Sequence, residues 1–189
     1  MLLKCLISSS ELYIIKKQTM KTSLFKTALL FALTTLMAFT GFSQKKIESP
    51  RDSASGKIGK ANISINYGSP SVKGRVIWGD LVPYGKVWRA GANEATRFTC
   101  DQAVTVEGKT LPAGSYGFFV IPTENEWTII FNKTANQWGA YEYKEKADAL
   151  RVMVKSKKSS TMNERLLYKV TASGISLLWE NLEVPVSIK

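Results

Sequence analysis

The chain has 189 residues with a formal net charge of +11, and it contains no histidine. The length suits one domain, and the missing histidine excludes Ser-His-Asp and Cys-His catalysis and every zinc site with histidine ligands. Positive charges are interspersed with acids except at residues 155–158, where no aromatic residue is interleaved, so we expect no nucleic-acid partner. The acids form no run at alternating positions, so we also expect no metal site and no cofactor.

Residues 20–43 have the three parts of a secretory signal peptide. A short basic stretch is followed by an apolar run over residues 28–39 and then by two small residues, Gly41 and Ser43, with one residue between them. The apolar run is too short to span a bilayer as a stable helix. We therefore expect cleavage before Gln44, contact with the membrane only through the signal peptide, and a mature protein that is periplasmic, secreted or on the cell surface. Residues 1–19 form an upstream extension, and an uncleaved membrane anchor stays open as the alternative.

Removal of residues 1–44 takes away five lysines, one glutamate and Cys5, which lowers the net charge to +7 and leaves Cys100 as the sole cysteine. No intramolecular disulfide can then form. Cys100 alternates with the polar residues Thr99 and Asp101, so we expect a buried and unreactive thiol.

The rest of the chain reads as a polar entry segment, residues 44–57, followed by a single all-β domain, residues 58–189. Apolar residues alternate with polar ones in short runs that glycine, proline and polar turns separate. Residues 116–121 are almost continuously apolar and predict a central strand, with residues 127–131 as its hairpin partner. The pattern predicts an antiparallel β-sandwich or flattened barrel of nine or ten short strands. The clearest runs are 61–67, 97–100, 104–106, 116–121, 127–131, 150–154, 166–170, 175–179 and 182–188.

A long loop over residues 74–96 interrupts this pattern. It holds four glycines, a proline, three aromatic residues and two arginines, and loops of this length usually cover a core or build a site. A second loop ends on Trp138-Gly139 and repeats the Trp78-Gly79 pair of the first. Aromatic faces stack on sugar rings, and arginine or asparagine donors bind hydroxyl and carboxylate groups. We predict a site where residues 74–96 and 132–141 meet. Its candidate ligand-binding residues are Arg75, Trp78, Tyr84, Trp88, Arg89, Asn93, Glu94, Trp138 and Tyr141.

A purely structural role for this loop stays open. The tryptophans would then fill the core, and the arginines would stack on them or bond loop carbonyls. Adjacent residues of an extended segment point to opposite faces. If Trp88 enters the core, Arg89 should therefore face the cavity that the loop lines.

Carboxylates offer the second functional reading. Because the chain has no histidine, acid–base catalysis would need groups such as the carboxylates of Asp80 and Glu94. These two carboxylates could act together in a hydrolase if the fold brings them close to each other. The alternative is that Glu94 pairs with Arg89 or caps a neighbouring backbone segment and that Asp148 pairs with Arg151. Whether the protein is an enzyme stays open, and so does a third reading, a protein–protein interaction module.

Several rare residues in fixed order resemble the domain of unknown function 2911 family. The resemblance covers about residues 47–189 and implies a single exported bacterial domain with no assigned activity. The residues that carry it are Ser49-Pro-Arg51, Gly74-Arg75, Trp78-Gly79, Leu81-Val-Pro-Tyr-Gly85, Trp88-Arg89, Gly91-Ala-Asn-Glu94, Ala113-Gly114, Trp127, Phe131-Asn132, Trp138-Gly139 and the pair Asp148 and Arg151.

The first functional reading is therefore an exported all-β domain. It would bind a small polar or carbohydrate-like ligand at the aromatic and arginine-lined loop surface.

Overall fold

The computed structural model of the protein describes residues 48–189 and Gln18. The predicted upstream extension, signal peptide and cleavage site lie outside the described residues. Residues Ile47–Lys189 form one compact unit of the chain. Within the described part, no helix has the length and apolar character that a membrane crossing needs.

Ten strands and one 3-10 turn, Glu145–Ala147, make up the regular structure of the described residues. The strands are β1 Arg51–Ile58, β2 Ala61–Gly68, β3 Thr96–Cys100, β4 Val104–Val106, β5 Lys109–Leu111, β6 Gly114–Ile121, β7 Glu126–Asn132, β8 Asp148–Lys155, β9 Lys157–Thr171 and β10 Gly174–Ser187.

The strands form one large antiparallel sheet and two smaller pairs. The large sheet has the order β1-β2-β3-β6-β7-β8, while β9 pairs with β10 and β4 pairs with β5. Strand β6 lies inside the large sheet, and Phe118 is opposite Thr96 of β3 on one side and Phe131 of β7 on the other. The predicted all-β sandwich-like fold is confirmed, as are the central strand and its hairpin partner.

The main core joins one face of the large sheet to the β9–β10 pair. At its centre four tryptophan rings contact one another. Trp78 meets Trp88, Trp127 and Trp179 edge-on, with ring centroids 4.8–5.9 Å apart. Trp88 and Trp179 stack at 5.8 Å with 20° between their planes. Large aromatic rings supply much of the apolar burial that holds two layers together.

A smaller core lies under the second loop, on the opposite side of β6 and β7. Phe119 and Ile130 are fully buried there against Ala140 and Tyr143 of the loop. The loop comes so close to β6 that a Cβ on Gly117 would lie 2.7 Å from the Thr134 carbonyl oxygen. Glycine at this position therefore allows the loop to rest on the sheet.

Three segments differ from the sequence prediction. The second half of the predicted entry segment, residues 51–57, belongs to β1, an edge strand whose side chains are mostly exposed and so show no apolar alternation. The polar residues 156–163, which lie between the predicted strand runs 150–154 and 166–170, are not a connection, because all but residue 156 belong to the long strand β9. The two last predicted strands are one strand, β10, because irregular pairing on either side of Glu180, which has φ of +54°, shifts the alternation without ending the strand.

Candidate functional site

The two loops of the predicted site meet in the structure. The backbone NH of Ala95 donates to the Gln137 carbonyl at 3.0 Å, and the NH of Gly139 donates to the Asn93 carbonyl at 3.1 Å. The Asn93 side chain donates to the Ser49 carbonyl at 3.1 Å and ties the segment before β1 to the same place. Three separate parts of the chain are thus held together by hydrogen bonds.

A cavity of about 290 Å³ opens beside this junction, and we call it the Arg89 cavity. Of the nine candidate ligand-binding residues, Arg75, Trp88, Arg89 and Asn93 line it. Its lining residues are Glu48, Ser49, Pro70, Ser71, Lys73, Arg75, Leu81, Val82, Trp88, Arg89, Gly91, Ala92, Asn93 and Trp179.

Trp88 and Trp179 give the Arg89 cavity an aromatic wall. Trp88 is fixed by two backbone hydrogen bonds with Val120 of β6, at 2.8 and 2.9 Å, and its indole NH donates to the Gly91 carbonyl at 3.1 Å. Trp179 comes from β10 and packs in the main core. Trp179 is fully buried and Trp88 is partly exposed, so the wall belongs to the core and its position does not depend on a ligand.

The hydrogen bonds of Arg75 maintain the shape of the first loop. Its Nε donates to the Val72 carbonyl at 3.1 Å, and its Nη2 donates to the Ser71 carbonyl at 2.5 Å. These bonds close a turn at the rim of the cavity. For Arg75 the structural alternative, in which an arginine bonds loop carbonyls, fits the geometry.

Arg89 stands apart from the other arginines. Among the described residues its guanidinium has no hydrogen bond and no ion pair, and its buried Nε has no acceptor. Each of the other five arginines of residues 48–189 has at least one partner. The predicted pairing of Glu94 with Arg89 is wrong, because Glu94 pairs with Arg51 at 3.4 Å. Arg89 therefore keeps donors free at the wall of a cavity.

The charges around the Arg89 cavity favour an anion. Lys73, Arg75 and Arg89 face one carboxylate, that of Glu48. Glu48 lies 2.9 Å from the Lys73 ammonium group, so this pair is compensated locally. Among the described residues neither arginine has a carboxylate partner, so positive charge is in excess beside the tryptophan wall.

The other candidate aromatic residues are divided between core and surface. Trp78 packs in the tryptophan cluster, and Tyr84 is partly exposed. Trp138 and Tyr141 are 59% and 83% exposed, so neither serves the core. The Tyr141 ring and the Arg89 Nη1 both lie within 3.4 Å of the place that a Cβ on Gly139 would take. An exposed ring is thus a neighbour of the free guanidinium.

The two candidate catalytic carboxylates do not share a cavity. Glu94 lines a second opening of about 240 Å³, the Glu94 recess. Asp80 is exposed in the first loop and is not part of the recess lining. Within residues 48–189 and Gln18, no three His, Cys, Asp or Glu side chains come together as a metal site would require.

The pairing of Asp148 with Arg151 is confirmed, and it belongs to a larger polar cluster. The Asp148 carboxylate accepts from the Arg151 Nε at 2.5 Å, from the Tyr143 hydroxyl at 2.7 Å and from the Asn132 amide at 2.7 Å. Burial, and next the bond to Asp148, raise the pKa of Tyr143 to about 12. The cluster fastens the end of the second loop to β7 and β8, which is a structural task.

Trp179 and Gln137 were not among the predicted site residues. Trp179 reads in sequence as one more apolar residue of an alternating strand, and only the packing of β10 brings it to the cavity. Gln137 lies in a polar loop and carries no pattern of its own. No signal in the sequence marks either residue.

Fold and cavity together define an all-β domain with a cationic opening that is lined by the first loop, by the segment before β1 and by Trp179 of β10, and its lining includes no residue of the second loop. The chain belongs to the family described as Protein of unknown function (DUF2911), whose profile matches residues 49–188. The comparisons found no match among curated proteins or among solved structures.

Proposed function

We propose that the protein is exported and that its domain binds a small, polar, carbohydrate-like ligand with a negative charge in the Arg89 cavity. The observation that carries the proposal is Arg89 itself, a partly buried guanidinium without an acceptor among the described residues. A buried donor without an acceptor is costly, and an anionic ligand would supply the missing acceptors. Arginine offers a planar pair of donors that fits a carboxylate.

The cavity limits the size and shape of the ligand. Ligand pockets commonly hold about 300–1,000 Å³, and the Arg89 cavity, with about 290 Å³, is at the small end. One sugar unit is of suitable size. The partly exposed Trp88, backed by Trp179, offers an apolar surface for the ring, and the Asn93 amide and Ser71 offer polar groups for hydroxyls. A sugar acid combines these requirements, with its carboxylate at Arg89.

The test compares glucuronate with glucose, which differ only in the carboxylate. Isothermal titration calorimetry with residues 44–189 should show binding of glucuronate and at least about tenfold weaker binding of glucose, because a charge-assisted pair contributes about 1.5–3 kcal/mol. Arg89→Lys should weaken glucuronate binding and leave the melting temperature nearly unchanged, since Arg89 has no partner whose loss would destabilise the fold.

Arg151→Lys is the matched control. Arg151 uses its guanidinium within the polar cluster of Asp148 and Tyr143, so this variant should lose stability and keep its affinity. If Arg89→Lys changes neither affinity nor stability, the Arg89 cavity is not the functional centre. If Arg89→Lys lowers stability alone, Arg89 has a structural role and the proposal fails.

A further inference from the structure

The Glu94 recess is a second polar opening that the proposed function does not use. Asn93 lines the Arg89 cavity, and the next residue, Glu94, lines the recess. The recess holds about 240 Å³, and its other polar walls are Arg51, Arg97, Asn136 and Gln137. It is therefore formed by the edge of the sheet on one side and by the second loop on the other.

Two guanidinium groups face this recess with donors to spare. Arg51 donates to the Asn66 amide oxygen at 2.5 Å, and Asn66 is the cross-strand neighbour of Arg97, so both arginines share one face of the sheet. Their other contacts are long for hydrogen bonds, 3.4 Å from Arg51 to Glu94 and 3.3 Å from Arg97 to Asn136. One carboxylate against two guanidinium groups leaves an excess positive charge.

Gln137 adds an unused acceptor. The residue is only 8% exposed, and its Nε2 donates to the Thr134 carbonyl at 2.9 Å. This bond fixes the orientation of the amide, so that the remaining atom, Oε1, is the acceptor. The Oε1 atom is buried and has no donor among the described residues. Because the Oε1 atom is buried, a molecule in the recess does not reach it unless the side chain moves.

We propose that the Glu94 recess binds a protonated phosphoryl group, either as inorganic phosphate or as a phosphomonoester. Arg51 and Arg97 would pair with phosphoryl oxygens through their planar donors. The Glu94 carboxylate would accept the O–H that a hydrogen phosphate carries. Sulfate has the same shape and no proton near neutral pH, so its oxygens would meet the Glu94 carboxylate with lone pairs and negative charge. The recess therefore selects phosphate over sulfate.

Calorimetric titration of residues 44–189 with sodium phosphate and with sodium sulfate, at equal ionic strength and about pH 6, tests the selection. Phosphate should bind about tenfold or more tightly than sulfate, as the loss of a hydrogen bond to a charged acceptor implies. Equal or tighter binding of sulfate would overturn the proposal. Titration with glycerol 3-phosphate distinguishes inorganic phosphate from a phosphomonoester as the ligand. The ester binds only if the recess leaves one phosphoryl oxygen exposed to solvent.

The Arg97→Gln variant tests whether phosphate binds in the Glu94 recess. It should weaken phosphate binding about tenfold or more, whereas Arg89→Lys should leave it unchanged, because Arg89 lines the other cavity. The reverse result would put phosphate in the Arg89 cavity and overturn the proposal. If Arg97→Gln does not fold, amide shifts of the wild type decide the matter, since phosphate must then perturb Ala95, Asn136 and Gln137 before other residues. Glucuronate binding by Arg97→Gln reports separately on the proposed function.

Discussion

Strand β6 carries two adjacent phenylalanines that serve different cores. Phe118 is buried in the main core, edge-on to Phe131 at 5.3 Å and to Tyr168 at 5.9 Å. Phe119 is buried in the smaller core and meets the Tyr143 ring of the second loop at 5.2 Å. Truncation of each phenylalanine to alanine therefore measures how much the core on one side of the sheet contributes to stability.

The packing around each phenylalanine determines how much each truncation lowers the free energy of unfolding. Removal of the Phe118 ring loses about 2–3 kcal/mol of burial and leaves a cavity between sheet layers that adds about 2 kcal/mol. Phe118→Ala should therefore lower the free energy of unfolding by about 4 kcal/mol. Phe119→Ala should cost about 3 kcal/mol, because the covering loop is able to settle into the space. Both values are a large part of the roughly 5–15 kcal/mol that stabilises a domain.

Urea unfolding followed by circular dichroism gives these free energies, provided that the slope of the transition stays constant among the variants. Val76→Ala, at an exposed position, is the control and should lie within about 0.5 kcal/mol of the wild type. If both phenylalanine variants unfold like the wild type, β6 is not a central strand. If Phe119→Ala costs more than Phe118→Ala, the reasoning about the loop is wrong.

Three groups outside the two cavities give further predictions. The pKa of Tyr143 is raised to about 12, so its contribution to stability is complete below its ordinary pKa of 10 and is lost as the pH rises toward about 12. Urea unfolding should show a larger loss over this range for the wild type than for Tyr143→Phe, and equal losses would contradict the assignment. Burial raises the pKa of the Cys100 thiol, so a thiol reagent should label it only after denaturant is added, and labelling of the native protein would refute this. N-terminal sequencing of the exported protein should give a start near Gln44, whereas a start at Met1 or Met20 would exclude cleavage.

The fold could be predicted wherever one face of a strand is buried. In β2, Ile63 and Ile65 are buried and alternate with the exposed residues Asn62 and Ser64, and this burial produces the pattern that the sequence shows. Strand β1 buries little, so its polar sequence contains no such pattern. The backbone hydrogen bonds to β2 that make it a strand are independent of side-chain type.

The length of β10 could not be predicted for a different reason. Leu177, Leu178 and Trp179 are consecutive and all buried, which an undisturbed alternation does not allow. The irregular pairing at Glu180 reconciles the three with one continuous strand. Sequence patterns of period two cannot show where such an irregularity lies.

The contact between the two loops was predictable, but the residues that line the cavity were not. Both loops carry a Trp-Gly pair, yet Trp78 packs in the core and Trp138 is exposed. Arg75 and Arg89 look alike in the sequence, and only the positions of nearby carbonyls leave Arg75 bonded and Arg89 without a partner among the described residues. These differences arise from contacts between distant parts of the chain, which local patterns do not contain.

The tryptophan cluster provides an intrinsic fluorescence probe. Four of its five tryptophans lie within 5.9 Å of a neighbouring tryptophan ring, so they share excitation energy and emit as a coupled group. Two of them form the wall of the Arg89 cavity, and the coupled emission therefore responds to whatever enters it. Trp138 stands outside the cluster at the surface and gives a red-shifted emission of its own, which follows the second loop instead.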